Sequence, residues 1–266
     1  MPVNMKKMGQ LEYLVAENIA VPHCFTTRLG GVSTGYLESL NLGANRGDDP
    51  AHVAANYAIL GDALGFSTEN LVLTRQEHTD IVRVVTKADH LSLDHRDYPV
   101  SDALVTADPG AALVVFTADC TPILLHDPVT GAVGAIHAGW RGTAADIAGK
   151  TVETMVAEFG CKPADLRAAI GPNLGVCCFE TDADVPDAMV SAFGDPARQW
   201  IHPQNEKFYV NLKEINAHAL RRRGVTQLEI SRDCTRCCHQ RYWSHRFTGG
   251  IRGSQGAIIL CKEAKV

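Results

Sequence analysis

The sequence predicts a single α/β domain (α+β by some schemes), residues 1–266, with mixed β-sheets packed together and flanked by helices. Three observations carry this. Apolar runs of strand length alternate with stretches whose apolar residues recur at spacings of three and four. Of the 266 residues, 45% are hydrophobic and 21% charged, enough apolar material for a sizeable core. Neither an internal repeat nor a low-complexity linker divides the chain.

In order along the chain, residues 1–10 carry lysines but no apolar segment of the kind a signal peptide needs. Residues 23–27 read as a strand running into a loop at 28–35, marked by Gly30, Gly31, Gly35 and two hydroxyls. Asn41-Leu42-Gly43 continues that loop. From Asp49-Pro50 the pattern turns helical through Val53, Tyr57, Leu60 and Leu64, and Gly65 stops it. Residues 71–74 and 81–86 read as strands flanking His78, and 88–99, rich in Asp and His, as a loop. Runs 111–117, 122–126 and 132–137 are strands, with a turn at 127–131 between the last two. Thr143 is the expected cap of a helix to Phe159, ended by Gly160. A short strand at 168–170 ends at Gly171-Pro172. Helices at 184–193 and 212–223 and strands at 227–231 and 257–261 complete the reading.

The formal net charge of -5 offers no electrostatic footprint for nucleic acid or an anionic membrane. Arg221-Arg222-Arg223 falls at a helix end, where cations favour the dipole. No apolar stretch is long enough to span a bilayer. Nine cysteines, an odd number in a chain too long to need staples, read as reduced thiols of a cytoplasmic protein. A monomer is expected.

Three strings read as chemistry: Arg75-Gln76-Glu77-His78, Thr117-Ala118-Asp119-Cys120 and His137-Ala138-Gly139-Trp140-Arg141-Gly142. His78, Cys120 and His137 form a soft-ligand set that suits zinc better than calcium or magnesium. A free cysteine taken singly is most often a small buried hydrophobe. Here all three residues sit at strand ends beside polar or glycine-rich turns, where sites in sheet proteins tend to lie. Three protein ligands are also the number that catalytic zinc uses, leaving a position for water. Gln76 and Asp119 flank these ligands and are candidates to orient them. Arg141 stands near a helix start, where an anion is favoured, and Gly139 and Gly142 let a ligand approach the backbone.

Cys234-Thr235-Arg236-Cys237 is a CxxC, and Cys177-Cys178 is an adjacent pair. A structural zinc wants a second CxxC at short spacing, and the chain has none. These cysteines are therefore expected to be buried or site-lining thiols. The chain has no GxGxxG after a strand, no GxxxxGK[ST] and no GxSxG, so dinucleotide, P-loop and α/β-hydrolase readings fail. There is no standard zinc-deaminase signature and no His-x-His pair of the kind that builds multicopper clusters.

Thr27-Arg28-Leu29-Gly30-Gly31-Val32-Ser33, Ser39-Leu40-Asn41-Leu42-Gly43, Asp102-Ala103-Leu104-Val105-Thr106 and the strings around Cys120 and His137 together resemble the bacterial YfiH-like family. This is also called the laccase-domain or polyphenol oxidase family. Ile170-Gly171-Pro172, Cys177-Cys178-Phe179-Glu180 and Trp243-Ser244-His245-Arg246 extend the likeness from Phe25 to Ile259. The resemblance implies a zinc-dependent purine nucleoside phosphorylase acting on adenosine, inosine and methylthioadenosine, with adenosine deaminase activity. It implies a purine nucleoside and phosphate as partners. It carries the metal and catalytic positions onto His78, Cys120 and His137. Arg28, Asn41, Arg141 and Arg252 are the expected substrate-binding residues, with Arg141 or Arg28 holding the phosphate. The family often has Thr-Gly-Arg before its last strand, where this chain has Gly249-Gly250-Ile251-Arg252. Copper is a possible alternative occupant, because a Cys/His site binds it strongly. The rival activities are peptidoglycan editing on muropeptide precursors and copper-dependent phenol oxidation. A structural zinc or binding module is the non-enzyme rival.

Overall fold

The computed structural model describes residues 3–93 and 97–262. Residues 94–96 of the expected 88–99 loop, and residues 1–2 and 263–266 of the expected domain, lie outside the described residues.

The chain opens with β1 (Asn4–Met8) and β2 (Leu11–Val15), an antiparallel hairpin turned through Gly9 at φ 60°. Then come β3 (His23–Thr26), helix α1 (Pro50–Leu64), β4 (Leu71–Val72), β5 (Val82–Val84) and β6 (Ala103–Thr106). The central strands are β7 (Ala112–Thr117), β8 (Thr121–His126) and β9 (Val133–Ala138), followed by α2 (Trp140–Ala144) and α3 (Ile147–Phe159). The last part holds β10 (Arg167–Ile170), β11 (Glu180–Thr181), α4 (Asp184–Phe193), β12 (Ile201–Gln204) and β13 (Lys207–Val210). It closes with α5 (Leu212–Arg222), β14 (Gln227–Ile230), α6 (His245–Thr248) and β15 (Gln255–Leu260).

Sheet one has strand order β1-β2-β3-β15-β7-β4, sheet two β14-β10-β8-β9-β6-β5, and a small third sheet β11-β13-β12. Parallel pairs (β4 with β7, β5 with β6, β10 with β14) occur among antiparallel ones. The α/β class with mixed sheets is therefore as expected.

Strand alternation builds the layers. Leu113 and Val115 of β7 and Ala257 and Ile259 of β15 meet Leu104, Leu124, Val133 and Ala135 of sheet two. The intervening residues point outward. Val114, Ile258 and Leu260 meet Val53, Tyr57 and Leu60 of α1. Val105, Ile123, Leu125 and Ile136 meet Ile147, Val152 and Met155 of α3, with Met189 of α4 and Ile215 of α5 in the same core. Both faces of both sheets are covered, which is why these strands read as continuous apolar runs rather than alternating ones.

Gly65 and Gly160 end α1 and α3 in the left-handed region, as expected. The single helix expected from Thr143 is instead two. α2 begins after Gly139, and the chain breaks at Asp146, at φ 58°. The Asp146 carboxylate caps α3 by accepting the Gly149 N–H at 3.2 Å. The Thr143 hydroxyl accepts from Asn216 Nδ2 at 3.0 Å. No helix among the described residues is long and apolar enough to cross a membrane.

Candidate metal centre and its cavity

Register creates the site. Ala103 pairs with Ile136 across β6 and β9, so Asp102 falls opposite His137, and the His137 N–H donates to the Asp102 carbonyl at 2.7 Å. By strand parity both side chains share the inward face with Leu104 and Ala135. His137 Nδ1 lies 2.6 Å from Asp102 Oδ1, with the two side chains 4% and 0% exposed. The same carboxylate accepts the backbone N–H groups of Glu77 (3.2 Å), His78 (3.1 Å) and Thr79 (2.7 Å), and the Thr79 hydroxyl (2.7 Å). One buried acid thus orients the His137 ring and holds His78 at φ 61°, a backbone conformation few non-glycine residues adopt.

His78 lies where the chain crosses from β4 in sheet one to β5 in sheet two. Cys120 lies where it crosses from β7 to β8, at the same end of the sandwich. The turn at Asp119, at φ 102°, is tied on three sides. Its carboxylate accepts from Thr235 Oγ1 at 2.5 Å and from the Arg246 N–H at 2.6 Å, and its carbonyl accepts from the Leu174 N–H at 2.8 Å. Cys120 Sγ is 3.6 Å from His78 Nε2, and the two histidine rings meet edge-on with centroids 4.9 Å apart. All three ligand atoms lie within 4.8 Å of one another.

Gly139 serves this geometry differently from the expectation. A Cβ there would stand 2.5 Å from His78 Cδ2 and 3.3 Å from Cys120 Sγ. The glycine makes room for the histidine, not for an approaching ligand.

Burial pushes the Cys120 thiol up, but His137 and His78 outweigh it and hold it at about 6. Burial pushes His137 down, while Cys120 and Asp102 raise it to about 9. Burial also raises Asp102, and the hydrogen bonds from His137 and Thr79 bring it down to about 2. The donor set fits a metal ion. One thiolate and two imidazoles converge, and the Asp102 bond to Nδ1 leaves His137 Nε2 as the ligand nitrogen.

The three side chains line a cavity of about 250 Å³ shared with Arg46, Arg75, Arg252, Ser254, Tyr57 and Phe116. Arg252 Nη1 donates to the Gly253 carbonyl (3.0 Å) and Ser254 Oγ (3.1 Å), while its buried Nε has no partner. Burial, with Arg46 nearby, lowers Arg252 to about 10. Arg46 Nε also reaches Ser254 Oγ, at 3.4 Å.

Of the four expected substrate-binding residues, Arg252 lines this cavity and the others do not. Arg28 donates to the Glu38 carbonyl at 2.8 Å and stacks over Trp243 at 3.9 Å. Arg141 is exposed and stacks over Trp140 at 4.2 Å. Asn41 is fully buried and bridges Gly43, Asp48 and Ser254 behind the cavity wall. Gln76 lines the cavity, but its amide clasps the backbone of Phe116 at 2.6 and 2.7 Å.

Arg46 was not singled out from the sequence, and Asp102 and Arg75 stood in the quoted strings without a role assigned to them. Asp102 carried a faint signal, as the acid heading an apolar strand. Of the remaining CxxC and Cys-Cys thiols, Cys178 and Cys234 are buried, as expected, while Cys177 and Cys237 are exposed. Their four sulfurs gather within 4.8 Å of one another, because two distant loops leave one end of sheet two together.

The family model described as multi-copper polyphenol oxidoreductase laccase matches residues 22–262. The chain belongs to this laccase-type family. A Deinococcus radiodurans protein named purine nucleoside phosphorylase is 40% identical over 252 residues, which are 94% of this chain and 92% of that one. Purine nucleoside phosphorylase YlmD of Geobacillus stearothermophilus is 35% identical over 245 residues, 90% of this chain and 89% of its own. The crystal structure of YlmD from that organism matches with a TM-score of 0.92 at 32% identity, covering 98% of this chain and all of the other. The crystal structure of Bacillus licheniformis YfiH matches with a TM-score of 0.91 at 32% identity, over 97% and 99% of the two chains. The laccase-type family is thus the one its motifs resemble, and relatives within it are named for phosphorolysis rather than for oxidation.

Proposed function

We propose that this laccase-type chain is a zinc-dependent purine nucleoside phosphorylase. Adenosine, inosine or methylthioadenosine and phosphate would yield the free base and (methylthio)ribose 1-phosphate, and adenosine would also be deaminated. One observation carries the reading: a single small cavity joins the His78–Cys120–His137 set to three arginines, one of them, Arg252, with a buried, unpartnered nitrogen. A nucleoside enzyme that uses phosphate needs room for a flat base and a cationic place for the nucleophile. Phe116 and Tyr57 supply apolar wall, and Arg252 and Arg46 supply the charge.

In phosphorolysis a phosphate oxygen forms a bond to C1′ as the bond from C1′ to the base nitrogen breaks, through an oxocarbenium-like transition state. The purine leaves with that electron pair and takes up a proton. Arg252 and Arg46 hold the phosphate and Ser254 spaces them. This assignment replaces Arg28 and Arg141, whose guanidiniums are committed elsewhere. Asp102 keeps the His137 proton on Nδ1. His78, Cys120 and His137 would hold the zinc ion, which would supply Lewis acidity when bound.

The test is product analysis with inosine and phosphate, and with adenosine. Zinc-loaded enzyme is expected to release ribose 1-phosphate from inosine and inosine from adenosine. Cys120→Ala is expected to lose both activities, by at least 100-fold, together with zinc. Full phosphorolysis by Cys120→Ala would overturn the assignment. The family description supports a second reading, copper-dependent phenol oxidation, because the same donors bind copper. Oxygen uptake by copper-loaded protein with a phenol distinguishes it.

A further inference from the structure

The turn after β10 carries Cys177-Cys178, and the turn after β14 carries Cys234 and Cys237. β10 and β14 are parallel neighbours with Ile170 paired to Ile230, so both connections leave the sheet at one end. A bridge between Asn173 and Cys234 prolongs the pairing, and the Thr235 N–H donates to the Asn173 carbonyl at 2.9 Å. The result is four sulfurs within 4.8 Å of one another. Cys237 Sγ is 3.6 Å from Cys177 Sγ and 3.5 Å from Cys178 Sγ.

These separations have a chemical meaning. A disulfide would bring two sulfurs to about 2.05 Å, and all four cysteines are free. Four sulfurs around zinc, each about 2.3 Å from it, stand roughly 3.8 Å apart at the corners of a tetrahedron. Donors face two of the four sulfurs, and a cation stands beside the cluster. Cys234 Sγ accepts the Gly175 N–H at 3.3 Å, and the backbone N–H groups of Cys237 and Arg236 bond to it as well. Arg236 Nη1 approaches Cys178 Sγ at 3.6 Å. The buried ammonium of Lys213 is fixed beside the cluster by the carbonyls of Ser231 and Asp233, at 2.8 and 2.7 Å.

We propose that Cys177, Cys178, Cys234 and Cys237 bind a structural zinc ion in a closed four-thiolate site, distinct from the His78–Cys120–His137 centre. Four protein ligands complete the tetrahedron, so this metal presents no position to a substrate. Each thiol gives up its proton as the sulfur binds, and the released protons make the affinity rise with pH. The zinc clips the two turns together. Those turns also hold the Asp119 turn, through Leu174 and Thr235. Metal at the clip therefore stiffens the backbone that presents Cys120. The clip is independent of the phosphorylase reading.

The test uses the full chain in a Cys120→Ala background, where thiolate signals from the first centre are absent. Elemental analysis is expected to find two zinc ions per chain in the wild type and one in Cys120→Ala. Cobalt added to metal-free Cys120→Ala is expected to give intense thiolate-to-cobalt charge transfer with tetrahedral visible bands. Adding Cys237→Ser should abolish both zinc and spectrum. Cys177→Ser replaces an exposed residue, which guards against misfolding, and should weaken zinc binding at least tenfold. A Cys120→Ala protein without thiolate-cobalt bands would overturn the proposal. So would Cys177→Ser and Cys237→Ser variants that keep the parent's metal content and spectrum.

Discussion

Replacing Asp102 with Asn tests whether one acid organises the metal centre. Asn keeps the shape but turns one acceptor oxygen into a donor. The Oδ2 position takes three donors, the Glu77 and Thr79 N–H groups and the Thr79 hydroxyl, so the amide oxygen belongs there. The NH₂ then faces His137 Nδ1 and the His78 N–H. The His78 N–H is left against another donor. His137 must accept at Nδ1, which moves its ring proton to Nε2, the nitrogen a metal requires. A hydrogen bond to a charged group contributes about 1.5–3 kcal/mol, so losing the one from the His78 N–H destabilises the metal-free fold by about that much. Loss of an orienting partner weakens metal binding about 10–100-fold, or about 1.4–2.7 kcal/mol. Urea unfolding of the metal-free protein and zinc competition against a chromophoric chelator measure the two effects. A variant with zinc affinity within about threefold of wild type, well under the expected loss, and an unchanged unfolding midpoint refutes this positioning role.

Gly139→Ala drives a methyl into His78 and is expected to weaken zinc binding at least tenfold while leaving every ligand in the sequence. Its cost to the fold is about 1–3 kcal/mol, the range for overpacking, and metal analysis beside a denaturation curve checks both. Arg252→Gln is expected to raise the KM for phosphate about tenfold, roughly 1.4 kcal/mol of lost binding, with a smaller change for the nucleoside in steady-state assays. Burial, reinforced by Arg167, holds His126 down at about 4, against 6.5 when free. The unfolded chain therefore binds the proton first. Stability is full above pH 6.5 and falls towards pH 4 by up to about 1.4 kcal/mol per pH unit. His126→Gln should flatten that slope in denaturation curves taken across the interval.

What could be read from the sequence follows burial. Strands covered on both faces, such as β7 and β8, announce themselves as apolar runs, and Cys120 and His137 stand at the ends of such runs. The β1–β2 hairpin and the third sheet are half-exposed, so their patterns carry little contrast. The break between α2 and α3 was not legible because Asp146, three residues beyond the expected cap Thr143, turns into the left-handed region and caps α3 itself. Asp102 owes its role to register, a property of two strands at once. The four-cysteine cluster likewise depends on β10 and β14 being neighbours. Arg28 and Arg141 belong to conspicuous strings, but proximity in sequence does not set direction, and both lie over indole rings.

The place of β15 constrains how the molecule is made. It lies in the middle of sheet one, between β3 and β7, although it is translated after both. Until it emerges from the ribosome, the β1–β3 unit and the β7–β4 pair have no strand to join them, and Ile258 and Ile259 are missing from the cores on both sides. Arg252 and Ser254 arrive with the same segment. A nascent chain can therefore present His78, Cys120 and His137 before it has a finished cavity. Vectorial synthesis withholds Arg252 and Ser254 until the last strand is in place, so ribosome-stalled chains ending before residue 250 should lack both a continuous sheet one and that side of the cavity.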